Sequence, residues 1–283
     1  MTDKSTAAEP SAPAGAPPGG TGLSPRQKQQ ISRTLQYVVL VAAVVFLLLR
    51  IEWGSLAANF AKPEVAAETW PDVFTVALKN TIIYSVGGFV FAFLFGLLFA
   101  LMRLSSVAPY RWISIAYIEI FRGLPALLIF LLILFLPLAL PGFEVPGGTY
   151  GQGILGLTIV GSAYMAETLR AGLQAVPRGQ MEAARSLGMS HTRAMVTIVI
   201  PQAVRIVIPP TTNQFVSLLK DSSLVLFLGV TGDYVELTKF GNDLASTYAN
   251  ATPILVVGVT YLLVTIPLGY LANRLEKRQG KGR

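Results

Sequence analysis

The sequence predicts an all-α polytopic membrane protein, with six transmembrane helices and both termini in the cytoplasm. Three observations carry that expectation. Only 13% of the 283 residues are charged and 53% are hydrophobic, against roughly 25% charged in a typical soluble domain. Apolar stretches of about 20 residues, the length that crosses hydrocarbon, recur six times. Lysine and arginine gather on alternate connections between those stretches, as the positive-inside rule requires.

Taken in order, residues 1–30 are rich in Pro, Gly, Ala and Ser and nearly devoid of large apolar side chains. They cannot bury enough surface to offset the entropy of ordering, which predicts a disordered cytoplasmic tail. The first span lies near 35–53 and, with an external loop, fills 31–74. The others lie near 80–102, 115–138, 150–173, 195–229 and 252–273, and 276–283 form a basic cytoplasmic tail. The fifth is interrupted by Pro201, Pro209 and Pro210, and the third carries Gly123 and Pro125 near its cytoplasmic entry. Prolines remove backbone donors, so bends are expected at both places. Gly87, Gly88 and Gly96 on the second span permit close helix packing. Seventeen of the 22 basic residues fall on the cytoplasmic side of this arrangement. The net charge of +7 is thereby explained as topology, and no nucleic-acid partner is needed to account for it.

Composition also excludes chemistry. The absence of cysteine rules out disulfides, thiolate metal sites and a cysteine nucleophile, and a single histidine, His191, rules out a multi-histidine metal centre. His191 reads as a solvated residue at a helix start. A membrane enzyme is left with few candidate groups.

The loop between the fourth and fifth spans, 177–193, is the most informative segment. Pro177 suits a helix start. Gly188 fits the left-handed position just past a helix end, and Ser190 fits the N-cap of the next helix. Ala183 and Ala184 make a low surface that a partner can approach, and Glu182 and Arg185 are spaced to pair or to grip that partner. An ordinary connecting loop and a docking knob both fit this pattern. The spacing Glu182-Ala183-Ala184, three residues, Gly188, nine residues, then Ile198-x-Ile200-Pro201 resembles the EAA loop of ABC-importer permeases, with Ile200 in place of the usual Leu. Glu119-x-Phe121-Arg122-Gly123-Leu124-Pro125, Ala163-Tyr164-x-Ala166-Glu167 and the stretch from Pro209-Pro210 through Lys220-Asp221-Ser222-Ser223 are similar to the polar-amino-acid branch of that family. The resemblance covers about 75–275. It makes the first span an extra helix outside a five-helix permease core.

The resemblance implies a transmembrane permease subunit of an ATP-binding-cassette importer in a bacterial cell membrane. It implies transport of polar amino acids such as glutamate or glutamine, ATPase docking through Gly179, Glu182, Ala183, Ala184 and Gly188, a second permease chain, and an extracytoplasmic solute-binding protein. No phosphate-binding loop occurs in the chain, so it is not the ATPase itself; the resemblance implies no cofactor on this chain, with ATP and Mg on the partner ATPase subunit. An ion-coupled carrier working without an ATPase is the alternative.

Ionisable residues within spans carry the remaining expectations. On a helical projection Asn213, Gln214, Ser217, Lys220 and Asp221 fall within a sector of about 120°. They either line the substrate pathway or form an internal supporting network. Glu119 with Arg122, and Glu167 with Arg170, are three residues apart. Each pair either neutralises itself along its helix or makes a gating contact between spans.

Overall fold

The computed structural model describes residues 24–280, which are entirely helix, turn and connecting coil, with no strand among them. The chain divides into two compact units, Met1–Gly54 and Ser55–Arg283.

In the first unit, helix α1 spans Pro25–Arg50. Its start is a capping box. Gln27 N–H donates to Ser24 Oγ at 3.3 Å, and Ser24 N–H donates to Gln27 Oε1 at 2.9 Å. Pro25 adds a pre-set φ in the first turn. Residues 25–30, expected in the disordered tail, are therefore helical: local capping outweighs polar composition. Residues 1–23 of that tail lie outside the described residues. The 26 residues of α1 extend about 39 Å, and none is buried. A helix this long and apolar is long enough to cross the hydrocarbon of a membrane. Trp53 Nε1 donates to Leu48 O at 3.0 Å near its end.

The second unit begins with two short helices, α2 (Trp53–Phe60, which straddles the division) and α3 (Pro63–Asp72), where an external loop was expected. A π-helical stretch, Val73–Leu78, leads into α4, Lys79–Leu104. Next come α5 (Ala108–Gly123), α6 (Ala126–Leu134), the single turn α7 (Leu136–Ala139) and α8 (Gly148–Gln174). The short α9 (Arg178–Ser186) and α10 (His191–Ala194) precede α11 (Ile200–Asp221). After a 3-10 stretch, Ser222–Leu228, come α12 (Leu237–Tyr248) and α13 (Thr252–Gly280).

The core is a seam between α4 and α8. A Cβ added at Gly88 would stand 2.5 Å from Leu157 Cβ, and one at Gly96 would stand 2.7 Å from Met165 Cβ, so only glycine permits the approach. Tyr84, Ala92, Leu157, Val160 and Leu218 pack into this seam, with Phe130 of α6 beside them. Small residues at helix contacts are how membrane helices gain packing when water no longer drives association.

Among the described residues, four helical runs are long and apolar enough to cross a membrane: Pro25–Arg50, Trp53–Leu104, His191–Leu228 and Thr252–Lys277. The third span bends where Gly123 and Pro125 led one to expect. It is the pair α5 and α6, bent by 101° at Leu124–Pro125. Pro125 forces Leu124 into extended backbone, with φ −84° and ψ 141°. The nine residues of α6 rise only about 13 Å, half a bilayer core. The α8 helix has the length of a span at 27 residues but is rich in Gly, Ala, Ser and Thr, because it packs against protein. The fifth span also differs from expectation. Pro209 and Pro210 lie inside a continuous α11 and do not break it. The irregular backbone falls at both ends of α11 instead, as a π-helical stretch over Met195–Val199 just before Pro201 and the 3-10 stretch after Asp221.

At the end where α4 and α8 begin, buried hydrogen bonds join elements distant in sequence. Asn80 Nδ2 donates to Asp233 O at 2.7 Å and Val235 O at 2.8 Å, while Tyr150 Oη donates to Asn80 Oδ1 at 2.7 Å. Tyr84 Oη donates to Tyr234 O at 3.1 Å. The turn before α13 is tied back to α2. Ala251 N–H donates to Asn59 O and Asn250 Nδ2 to Ala58 O, both at 2.8 Å.

Candidate functional site: an exposed docking helix and a polar stripe

The loop 177–193 folds as its residues require. Pro177 precedes the first turn of α9, and Leu187 closes the helix with φ −82° and ψ 10°. Gly188 takes φ +83°, the left-handed region. Gly188 N–H donates to Arg185 O at 3.0 Å, and Met189 N–H donates to Ala184 O at 3.1 Å. These two bonds are a complete Schellman motif, which satisfies the last carbonyls and turns the chain sharply. Ser190 then caps α10, its Oγ accepting from Arg193 N–H at 3.3 Å. The exposed His191 opens α10.

One face of α9 is anchored. Ala184 is only 2% exposed, and Met181 packs with Val176, Val199 and Ala203. The other face is bare: Gly179, Glu182, Ala183 and Gly188 are exposed. Glu182 and Arg185 do not pair with each other. Arg185 Nη1 points to Met189 O at 3.4 Å, and the Glu182 carboxylate faces solvent. Leu187, which no motif in the sequence singles out, stands 85% exposed beside the left-handed glycine.

The residues of the expected stripe all lie on the one continuous helix α11. Asn213 and Lys220, seven residues apart, are exposed; Gln214, Ser217 and Asp221 are half-buried; Leu218 and Leu219 on the opposite face are buried. Phe215 turns instead toward Phe89 of α4, ring centroids 5.3 Å apart. The stripe does not line the large apolar groove, of about 1150 Å³, between α4, α8 and α11; Thr211 and Thr212 are its contribution from the middle of that helix.

The charged pairs are only half as expected. Arg170 Nη2 donates to Glu167 Oε2 at 2.7 Å, as its spacing suggested, and Arg170 Nη1 donates to Gln174 Oε1 at 2.6 Å. Glu119 and Arg122 do not pair. The Arg122 guanidinium lies 5.5 Å over the Tyr164 ring, and Glu119 faces Arg103 at 3.8 Å. Arg103 also lies 3.1 Å from Glu167. The contact between α5 and α8 is therefore carried partly by a residue outside the recognised motifs. Nothing local to Arg103 in the sequence marks it.

Beyond the spans, Glu236 is fully buried at the N-cap of α12. Burial pushes its carboxyl up to about 7, against the pull of the Thr238 and Lys239 N–H groups, each donating at 2.7 Å, and of Tyr261 Oη at 3.2 Å.

Comparison with known proteins agrees with this arrangement. Residues 92–281 match the family described as binding-protein-dependent transport system inner membrane component. A probable glutamine ABC transporter permease protein, GlnM, of Bacillus subtilis (strain 168) is 40% identical over 71% of this chain and 91% of its own length. The glutamate transport system permease protein GluD of Corynebacterium glutamicum is 32% identical over 81% of this chain and 83% of its own. Among solved structures, an amino acid ABC transporter crystallised with histidines contains a chain 36% identical, with a TM-score of 0.64 over 71% of this chain and 92% of that one. A bacterial alginate importer shares the fold, with a TM-score of 0.63 at 15% identity over 89% of this chain.

Proposed function

Because the chain belongs to the family of binding-protein-dependent transport system inner membrane components, and is thus an ABC-importer permease of the inner membrane, we propose that it forms the pathway for a polar amino acid and is driven through α9 by a separate ATPase. The observation that carries this reading is α9 itself. It is held rigidly on one face by Met181 and Ala184, locked at its end by the left-handed Gly188, and presents Glu182, Ala183 and Leu187 to a partner. Such a helix delivers a push from its partner into α8, which precedes it, and through α10 and the π-helical stretch into α11.

The pathway is the polar face of α11, completed by a second permease chain. Asn213 and Lys220 are exposed on a helix in a membrane-crossing run. Hydrocarbon is an expensive solvent for an ammonium group, so that face belongs against water, substrate or a second subunit. Lys220 there attracts a carboxylate and Asp221 an ammonium, the two charges every amino acid carries. The topology that fits has both termini in the cytoplasm, with α5 and α6 forming one broken span. A solute-binding protein supplies substrate from the far side, and ATP and Mg act on the ATPase chain.

The test is reconstitution with the ATPase and binding protein, followed by uptake of labelled glutamine, glutamate, arginine and cystine. ATP-dependent uptake of at least one of them is expected. Uptake by this chain alone, driven by an ion gradient without ATP hydrolysis, would overturn the reading in favour of a solitary carrier.

A further inference from the structure

Arg103 stands in the last turn of α4, where its guanidinium faces carboxylates of two other helices. The two contacts differ in kind. Glu167 of α8 lies 3.1 Å away, with the two side chains 22% and 19% exposed; Glu119 of α5 lies 3.8 Å away and is 65% exposed. The shielded pair is costly to break, because loss of one partner strands a charge. The open pair is screened by water and salt and is easily exchanged. Arg103 Nη1 and Glu167 Oε1 make no aligned hydrogen bond despite their closeness, so their attraction is Coulombic and tolerates sliding.

We infer that Arg103 is a positioning residue that sets the angle of the bent α5–α6 pair against α8, and that its Glu119 contact is exchanged when α9 moves. The neighbouring contacts lie along one route. Three residues separate α8 from α9. The α5 helix is otherwise held to α4 and α8 by Ser114 Oγ donating to Phe99 O at 2.7 Å, by the Tyr117–Ser162 hydroxyl pair at 2.7 Å, and by Arg122 over Tyr164. Beyond the bend, Ile129, Phe130 and Ile133 of α6 pack with Val225 and Leu228, in the 3-10 stretch that directly follows Lys220 and Asp221. A change of angle at α5 therefore reaches the end of the polar stripe. The inference rests on the docking reading of α9.

The chain contains no cysteine, so a Trp112→Cys and Ala171→Cys pair can be spin-labelled on α5 and α8 without background. The interlabel distance is measured in the complex with its ATPase, nucleotide-free and trapped with ATP and vanadate. The unmodified background is expected to shift between the two states. Arg103→Met removes the shift and lowers binding-protein-stimulated ATP hydrolysis about tenfold, within the usual range of coupling between sites. Arg103→Lys restores most of both. Glu119→Gln, at an exposed position that tolerates substitution, weakens both about twofold; it and Arg103→Lys decide the matter if Arg103→Met does not fold. Unchanged distances and stimulation in Arg103→Met and Glu119→Gln overturn the inference. So does a loss in Arg103→Met that Glu119→Gln shares in no degree. Failure of the unmodified chain to capture its ATPase would instead overturn the docking reading.

Discussion

The two ends of the helical bundle are held together by different balances of interaction. At the α9 end charges are prominent, namely Arg103, Glu119, Glu167 and Arg170, partly wet and with one contact at 3.8 Å, beside the Ser114 and Tyr117–Ser162 hydrogen bonds of α5. At the other end the ties are hydrogen bonds made by side chains that are themselves buried: Asn80 to two carbonyls and to Tyr150, Tyr84 to Tyr234, and Glu236 to two backbone N–H groups and Tyr261. Wet charges exchange partners cheaply, whereas a buried polar group left unpaired costs its full desolvation. The contrast assigns movement to the α9 end and anchorage to the other.

The comparison can be broken most forcefully at Asn80. Asn80→Leu strands the buried Val235 carbonyl, at about 1–3 kcal/mol, and removes the partner of the part-buried Asp233 carbonyl and Tyr150 hydroxyl, at a smaller cost each. The expected result is a fall in melting temperature of about 10 °C in detergent; a fall under about 2 °C would remove the anchorage argument. Gly188→Val tests the other end. A β-branched residue is strained at φ +83°, by roughly 1–2 kcal/mol, and the strain is confined to an exposed turn. Melting should change little while ATPase co-purification falls about tenfold. The reverse outcome would mean that α9 supports the fold and does not dock.

A smaller effect separates the ends by pH. The native Glu236 carboxyl holds its proton up to about 7, whereas an unfolded glutamate loses it near 4.3. The folded state thus binds more protons between roughly pH 4.5 and 7, so stability is greatest below that window and declines as pH rises through it. Thermal unfolding across pH 4.5–8 should show this slope, and Glu236→Gln should flatten it. The smallest expected effect is that of Glu119→Gln on stability, under about 1 kcal/mol because the pair is exposed. A larger loss would show that the α9 end is anchored as firmly as its opposite.

The α9 end was legible in the sequence because its signals are local. Pro177, Gly188 and Ser190 each act through their own backbone, so their spacing alone describes the helix, the left-handed turn and the next cap. Long-range partners were not legible. Arg103 meets Glu119 and Glu167 only because the glycine seam brings α8 against α4, and Glu236 looked like one more external acid until α12 and α13 closed over it. In the third span Gly123 and Pro125 marked the bend but not its size. Local backbone chemistry places the break, whereas the 101° turn depends on what α5 and α6 each pack against. The tail boundary failed for the converse reason, since the Ser24–Gln27 capping box is local but sits within a polar, proline-rich context.

The most direct measurement of the central claim uses the absence of native cysteine. A single Leu187→Cys is placed in the chain co-expressed with its ATPase and binding protein, and treated with a short thiol-to-amine cross-linker. A covalent product with the ATPase is predicted, with a yield that changes when ATP is bound. A product with no ATPase, alongside intact ATP-dependent uptake, would show that force enters the membrane by another route.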